Sequence, residues 1–186
     1  KGNKKLTKII KKKVQRLEKV VENGLQLSRP QKGSTETIEL NQWLNSFREE
    51  FLLSNNLNSE QITLQVVDDD IFVLFDSSHL NQVMSNLCTN AISHNDKQIA
   101  LVKIQIICGY DQQNDQPFIK VIDNGPGIAE AIIEQVFDPF FTTSPKGSGL
   151  GLYISKEIIE SNRAKIRYAR HNESGSCFTI HLLSAI

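Results

Sequence analysis

A chain of 186 residues, 39% apolar and 23% charged, is large and apolar enough to bury one ordinary core, which excludes a disordered polymer. Cys88, Cys108 and Cys177 stand far apart without CxxC spacing, so neither a zinc site nor a disulfide framework is indicated, and no apolar run approaches the roughly 20 residues that cross a bilayer. The net charge is zero, but residues 1–29 hold ten Lys/Arg against two Glu, a local +8 balanced by −8 elsewhere.

That basic start is not followed by an apolar stretch, so it is no signal peptide, and a reducing, cytoplasmic setting is the simplest expectation. Its Lys and Arg alternate with apolar residues at helical spacing and no aromatic lies among them. They read as the solvated face of a helix, and no nucleic-acid partner is expected. Leu6, Ile10, Val14, Leu17, Val21 and Leu25 form the apolar seam of that helix, over residues 1–28, and such a seam wants partner helices. Pro30 stops it, because the residue before a proline is pushed out of the α region. The domain organisation expected is a helix over 1–29, a linker over 30–35 and a folded domain over 36–186.

Beyond the linker, strands and helices alternate. Thr37–Leu40 reads as a short strand and Asn41–Asn56 as a helix with Trp43, Leu44, Phe47, Phe51 and Leu52 on one side. Ile62–Val67 and Ile71–Phe75 read as a hairpin around Asp68-Asp69-Asp70. Asp76-Ser77-Ser78 caps a helix over His79–Ser93. Val102–Cys108 and Phe118–Ile122 form a second hairpin around a polar loop. A short helix near Ile128–Gln135, a glycine-rich stretch and a helix over Leu150–Asn162 follow. Lys165–Ala169 and Cys177–Leu182 close the chain as a third hairpin. The sum is an α+β sandwich: a mixed, mostly antiparallel sheet with helices on one face, preceded by one long helix.

Four features carry chemistry. Asn86 and Asn90, four apart, share a helix face, and an amide oxygen is a hard ligand suited to Mg²⁺; the plain alternative is two exposed asparagines. Asp123-Asn124-Gly125-Pro126-Gly127-Ile128 directly follows a strand, where a carboxylate can accept from an amino group and glycines let the backbone approach a ligand; the alternative is a turn. Val136-Phe137-Asp138-Pro139-Phe140-Phe141-Thr142-Thr143 sets three aromatics around a proline, as a loop hinge or a local core cluster. Gly147-Ser148-Gly149-Leu150-Gly151-Leu152 opens a helix, where free N–H groups and the helix dipole welcome phosphate. It is neither a Walker A loop nor a dinucleotide fingerprint.

Together, in this order, these residues resemble the N, G1, F and G2 boxes of the histidine kinase catalytic domain. That domain belongs to the Bergerat (GHKL) ATP-binding superfamily shared with gyrase, Hsp90 and MutL. The resemblance spans roughly Glu36 to the end, and it implies the Bergerat-type α/β sandwich, with ATP and Mg²⁺ as cofactors. Carried over position by position, it implies that Asn90 coordinates Mg²⁺ and Asn86 assists at the phosphates. Asp123 binds the adenine amino group, Gly125, Gly127 and Ile128 shape that wall, and His94 stands where an aromatic often stacks on adenine. Phe137 and Phe140 anchor a lid that includes Thr142 and Thr143. Gly147, Ser148, Gly149, Leu150, Gly151 and Leu152 meet the phosphates, with Lys146 adding charge. Ser93 and Ser144 stand where basic residues are common, a departure that leaves Lys146 as the substitute. The ATP-hydrolysing relatives carry a Glu four residues before the Mg²⁺-binding Asn; here Asn86, a neutral amide, cannot act as a general base, which favours phosphoryl transfer over hydrolysis.

Residues 16–29 look like the second helix of the family's dimerisation and phosphoacceptor bundle, which implies a homodimer. That helix and Asn86-Leu87-Cys88-Thr89-Asn90-Ala91 look most like sensor kinases of the nitrogen-regulation and type IV pilus kind, which pair with NtrC-type response regulators. The family's acceptor phrase follows none of His79, His94, His171 or His181, so the acceptor histidine is expected on a helix preceding this chain. The full-length protein is expected to be anchored in the bacterial inner membrane, with no membrane contact by this part. The alternatives are a GHKL-type ATPase clamp and a nucleotide-binding regulatory module without kinase activity.

Overall fold

A computed structural model describes residues 34–144, 147–172 and 174–185. The helix expected over 1–29, the linker up to residue 33, and Lys146 lie outside the described residues.

Strand β1 (Glu36–Glu39) leads directly into α1 (Leu40–Ser54), whose first N–H groups are capped by the Glu39 carboxylate. Steps of three and four bury Leu40, Leu44, Phe47 and Phe51 on one face. After β2 (Ile62–Val66) and β3 (Phe72–Phe75) comes α2 (Ser77–Ser93), capped by Asp76, whose side chain accepts from His79 N at 3.0 Å. Strands β4 (Ile104–Asp111) and β5 (Gln116–Asp123) form the long central hairpin. The segment Glu130–Gln135, expected as a short helix, is a 3₁₀ turn. Helix α3 (Gly151–Ser161), β6 (Lys165–Arg170), β7 (Ser176–His181) and β8 (Leu183–Ser184) complete the chain.

The α+β sandwich is as read, with the strands divided into two hydrogen-bonded sets. The larger sheet runs β2-β4-β5-β7-β6, antiparallel except for the parallel pair β2–β4; the smaller runs β1-β3-β8. The hairpin expected between residues 62–67 and 71–75 is therefore a correction. Val67 N donates to Cys108 O at 2.9 Å and the Asp68 carboxylate accepts from Tyr110 N at 2.8 Å, so the first strand is tied to β4. The chain then crosses through Asp70, at φ 56°, and β3 pairs with β1 instead. An aspartate run signals a change of direction, but it does not say whether the next strand returns to the same sheet.

Strand alternation decides what faces the helices. On that side β4 carries Ile104, Ile106 and Cys108, β5 carries Ile119 and Val121, and β7 carries Phe178 and Ile180, all buried. They pack with Leu80, Val83, Met84, Leu87 and Cys88 of α2 and Ile159 of α3 into one core. Continuing the alternation of β5 by one step puts Asp123 on this same face, at the strand's end.

Candidate functional site

A cavity of about 1080 Å³ opens where α2, the end of β5, the loop after it, the glycine-rich segment and β7 converge. Helix α2 builds one wall. Its core stripe (Leu80, Val83, Met84, Leu87, Ala91) is buried, so the neighbouring stripe turns Asn86 and Asn90 to the cavity, with Thr89, Ser93 and His94 beside them. The Asn90 amide makes no hydrogen bond to other described side chains or backbone, whereas Asn86 Nδ2 donates to Ser155 Oγ of α3 at 2.8 Å.

Opposite stands Asp123. Its Oδ1 accepts from Gly125 N at 2.8 Å and from Ser176 N at 3.3 Å, while Oδ2 has no hydrogen-bond partner among the described residues. Two backbone donors fix the carboxylate's orientation, with one oxygen left for a further donor. The turn after it needs its glycine: Gly127 has φ 72°, and a Cβ there would lie 2.8 Å from Gly175 O. Asn124 ties the same turn to the segment leaving α2, accepting from Asn95 Nδ2 at 3.1 Å and Lys103 N at 2.9 Å and donating to Leu101 O at 3.0 Å.

Gly147, Ser148, Gly149 and Gly151 bring the backbone of the third wall to the cavity. Gly149 has φ 72° and a Cβ there would collide with the Phe140 backbone. Helices α1 and α2 have capping carboxylates, but α3, which begins at Gly151 after Leu150, has no side chain capping its first turn. Leu150 N donates to Ser148 Oγ at 3.3 Å, and Gly151 and Leu152 at the helix start line the cavity. Such a helix start is suited to an anion.

Of the residues singled out in the sequence, Asn86, Asn90, His94, Asp123, Gly127, Ile128, Thr142, Thr143, Gly147, Ser148, Gly149, Gly151 and Leu152 line one cavity. Gly125 lies buried under the Asp123 side chain, and Leu150 turns its side chain into the interior at 5% exposure, so neither lines it. Phe137 stands behind the wall, edge-on to Phe178 with ring centroids 6.3 Å apart. Phe140 is a correction: at 67% exposure and φ 67° its ring anchors nothing within the described residues, because the left-handed turn that brings its backbone against Gly149 points the side chain outward. Lys146 lies outside the described residues. Sequence reasoning missed Ser176 and Phe178 on β7 and the apolar Ile132, and it named Val136 and Phe141 within the aromatic segment without giving either a place in the site. The Gly175-Ser176 step carried the only signal for the first, since it closes the last hairpin against Asp123.

Among the described residues no three His, Cys, Asp or Glu converge to hold an ion, so the walls form no metal cage of their own. The uncommitted Asn90 amide beside the α3 start fits Mg²⁺ that arrives already bound to phosphate oxygens. No described helix is long and apolar enough to cross a membrane.

Comparison with known proteins agrees with this geometry. Residues 75–186 match the family model of histidine kinase-, DNA gyrase B- and HSP90-like ATPases. The sensor protein kinase PilS of Pseudomonas aeruginosa is 38% identical over 178 residues, 96% of this chain and 33% of its own length. The sensor histidine kinase ZraS of Escherichia coli (strain K12) is 31% identical over 180 residues, 95% of this chain and 37% of its own. The chain thus spans about a third of the length of these relatives. Among solved structures, the catalytic domain of the histidine kinase ThkA superposes with a TM-score of 0.66 at 28% identity, covering 81% of this chain and 96% of that one. The chain belongs to the family of histidine kinase-, DNA gyrase B- and HSP90-like ATPases.

Proposed function

We propose that this chain is the ATP-binding catalytic part of a two-component sensor histidine kinase, which moves the γ-phosphoryl group of ATP to a histidine on a dimerisation bundle. The observation that carries the reading is Asp123, held through one oxygen by Gly125 and Ser176 N–H groups and free at the other to accept from the adenine amino group. Ile128, Phe178 and His94 give the base its walls, and Gly127 lets the turn close on it. At the other end, the α3 start with Ser148, Gly149, Gly151 and Leu152 offers N–H groups to the phosphates and Thr143 offers a hydroxyl. The Gly147 N–H and the Thr142 hydroxyl both donate to Ser144 O and hold the loop in shape. Lys146, in the same segment of the sequence, adds positive charge. Mg²⁺, when bound with the nucleotide through Asn90, neutralises developing phosphate charge.

Residue 86 selects the reaction. An amide engaged by Ser155 takes no proton from water, so the site is built to position the γ-phosphoryl group for an imidazole nitrogen to displace ADP. That supports transfer over the hydrolysis of an ATPase clamp. Residues 1–29 form the second bundle helix, followed by a linker over 30–35 and the catalytic domain over 36–186; the bundle makes the protein a homodimer. The phosphoryl group passes on to an aspartate of an NtrC-type response regulator, and the whole protein is anchored in the inner membrane while this part works in the cytoplasm. The resemblance to PilS and ZraS supports these assignments. The test is to incubate the chain with γ-labelled ATP, Mg²⁺ and a bundle carrying the acceptor histidine. Acid-labile label on that histidine is expected; steady ATP hydrolysis with no label on it would overturn the reading.

A further inference from the structure

Five contacts clamp the β6–β7 hairpin onto the Asp123–Ile128 turn. Ser176 N donates to Asp123, Gly175 packs under the Asp123 carbonyl, and Gly127 lies against Gly175 O. Arg170 Nη2 reaches Pro126 O at 3.5 Å, and Ile128 N donates to the Tyr168 hydroxyl at 2.8 Å. The last is the short one made by a side chain that does not itself line the cavity. The Tyr168 ring stacks at a tilt on Phe178 with centroids 5.3 Å apart, and Phe178 in turn meets Phe137 edge-on. One tyrosine therefore supports both apolar residues, Ile128 and Phe178, that wall one end of the cavity.

We propose that Tyr168 is a positioning residue for nucleotide binding, fixing the Ile128 backbone and the Phe178 ring as the wall that receives the base. This rests on the nucleotide reading of the cavity. The hydroxyl satisfies an N–H at a half-buried turn that has no strand partner, so without it the turn is free to sample other geometries. Loss of a hydrogen bond of this kind lowers the competent population, and with it the apparent affinity, by about three- to tenfold. Because the wall contacts the base and not the phosphates, ADP and ATP suffer alike.

Tyr168→Phe removes the hydroxyl and keeps the ring against Phe178. Calorimetric titration of the native chain and this variant with ADP and with a non-hydrolysable ATP analogue reads the effect, with thermal melts and amide exchange at Ile128 alongside. The expected result is an equal, about three- to tenfold loss for both nucleotides, with faster exchange at Ile128. Native affinity in the variant, whether or not its melting temperature falls, would overturn the proposal, as would a loss confined to the ATP analogue. Failure of the native chain itself to bind either nucleotide would remove the nucleotide reading and this inference together.

Discussion

Gly151→Ala sets two effects of known size against each other. Alanine is favoured over glycine in a helix interior by roughly 0.8–1 kcal/mol, and less at the first position, which Gly151 occupies in α3. A Cβ there, however, would lie 2.5 Å from Asn86 Oδ1 and 3.2 Å from its Cγ and Nδ2. Asn86 must swing aside, giving up its 2.8 Å bond to Ser155. Ser155 is 2% exposed, and a buried hydroxyl left without that donor costs about 1–3 kcal/mol. The clash wins: the expected outcome is a net loss of about 1 kcal/mol, or roughly 2–4 °C in melting temperature for a domain of this size. Binding is hit harder, because the variant displaces the cavity wall itself and crowds the α3 start. Titration with a non-hydrolysable ATP analogue is expected to show about tenfold weaker affinity, equivalent to ~1.4 kcal/mol. A variant that melts higher than the native chain and binds the analogue equally well would refute the coupling of Asn86 to α3.

Asp76 caps α2, and although burial works against its charge, the Ser78 hydroxyl and the His79 N–H hold its pKa below the ordinary 3.8. Its stabilisation is thus present above that value and lost as pH falls through the lower folded one; Asp76→Ala is expected to lose about 1 kcal/mol in urea melts at neutral pH, and a loss equally large well below pH 3 would contradict the charged cap. Burial pushes the Cys88 thiol up to about 12, and burial with the charges of Glu39 and Asp68 pushes Cys108 up to about 11. A maleimide at neutral pH is therefore expected to modify Cys177, which is partly exposed, well before the other two, and labelling of Cys108 at the same rate would count against the packed core.

Much of this was legible in the residues. The Asp76-Ser77-Ser78 cap, the apolar stripe of α2 and the strand preceding Asp123 gave a helix and a strand end whose polar residues meet across one cavity. Periodicity announces such features because each side chain's direction follows from its place in the helix or strand. The misread features depend on distant parts of the chain. Whether β2 returns to β3 or pairs with β4 is decided by Val67 and Asp68 meeting Cys108 and Tyr110, some forty residues on. Ser176 and Phe178 join the site only because β7 lies beside β5, and Tyr168 only because β6 lies beside β7. Phe140 was expected as a lid anchor from the family resemblance; the left-handed backbone that turns it outward has no signature in a phenylalanine.

The central claim is that the cavity holds an adenine nucleotide through Asp123. Calorimetric titration of the native chain and Asp123→Asn with non-hydrolysable ATP and GTP analogues, with and without Mg²⁺, tests it most directly. The account predicts Mg²⁺-dependent binding of the ATP analogue by the native chain, little affinity for the guanine analogue, and loss of ATP-analogue binding when the carboxylate becomes an amide. Equal binding of both analogues, or native affinity in Asp123→Asn, would contradict it.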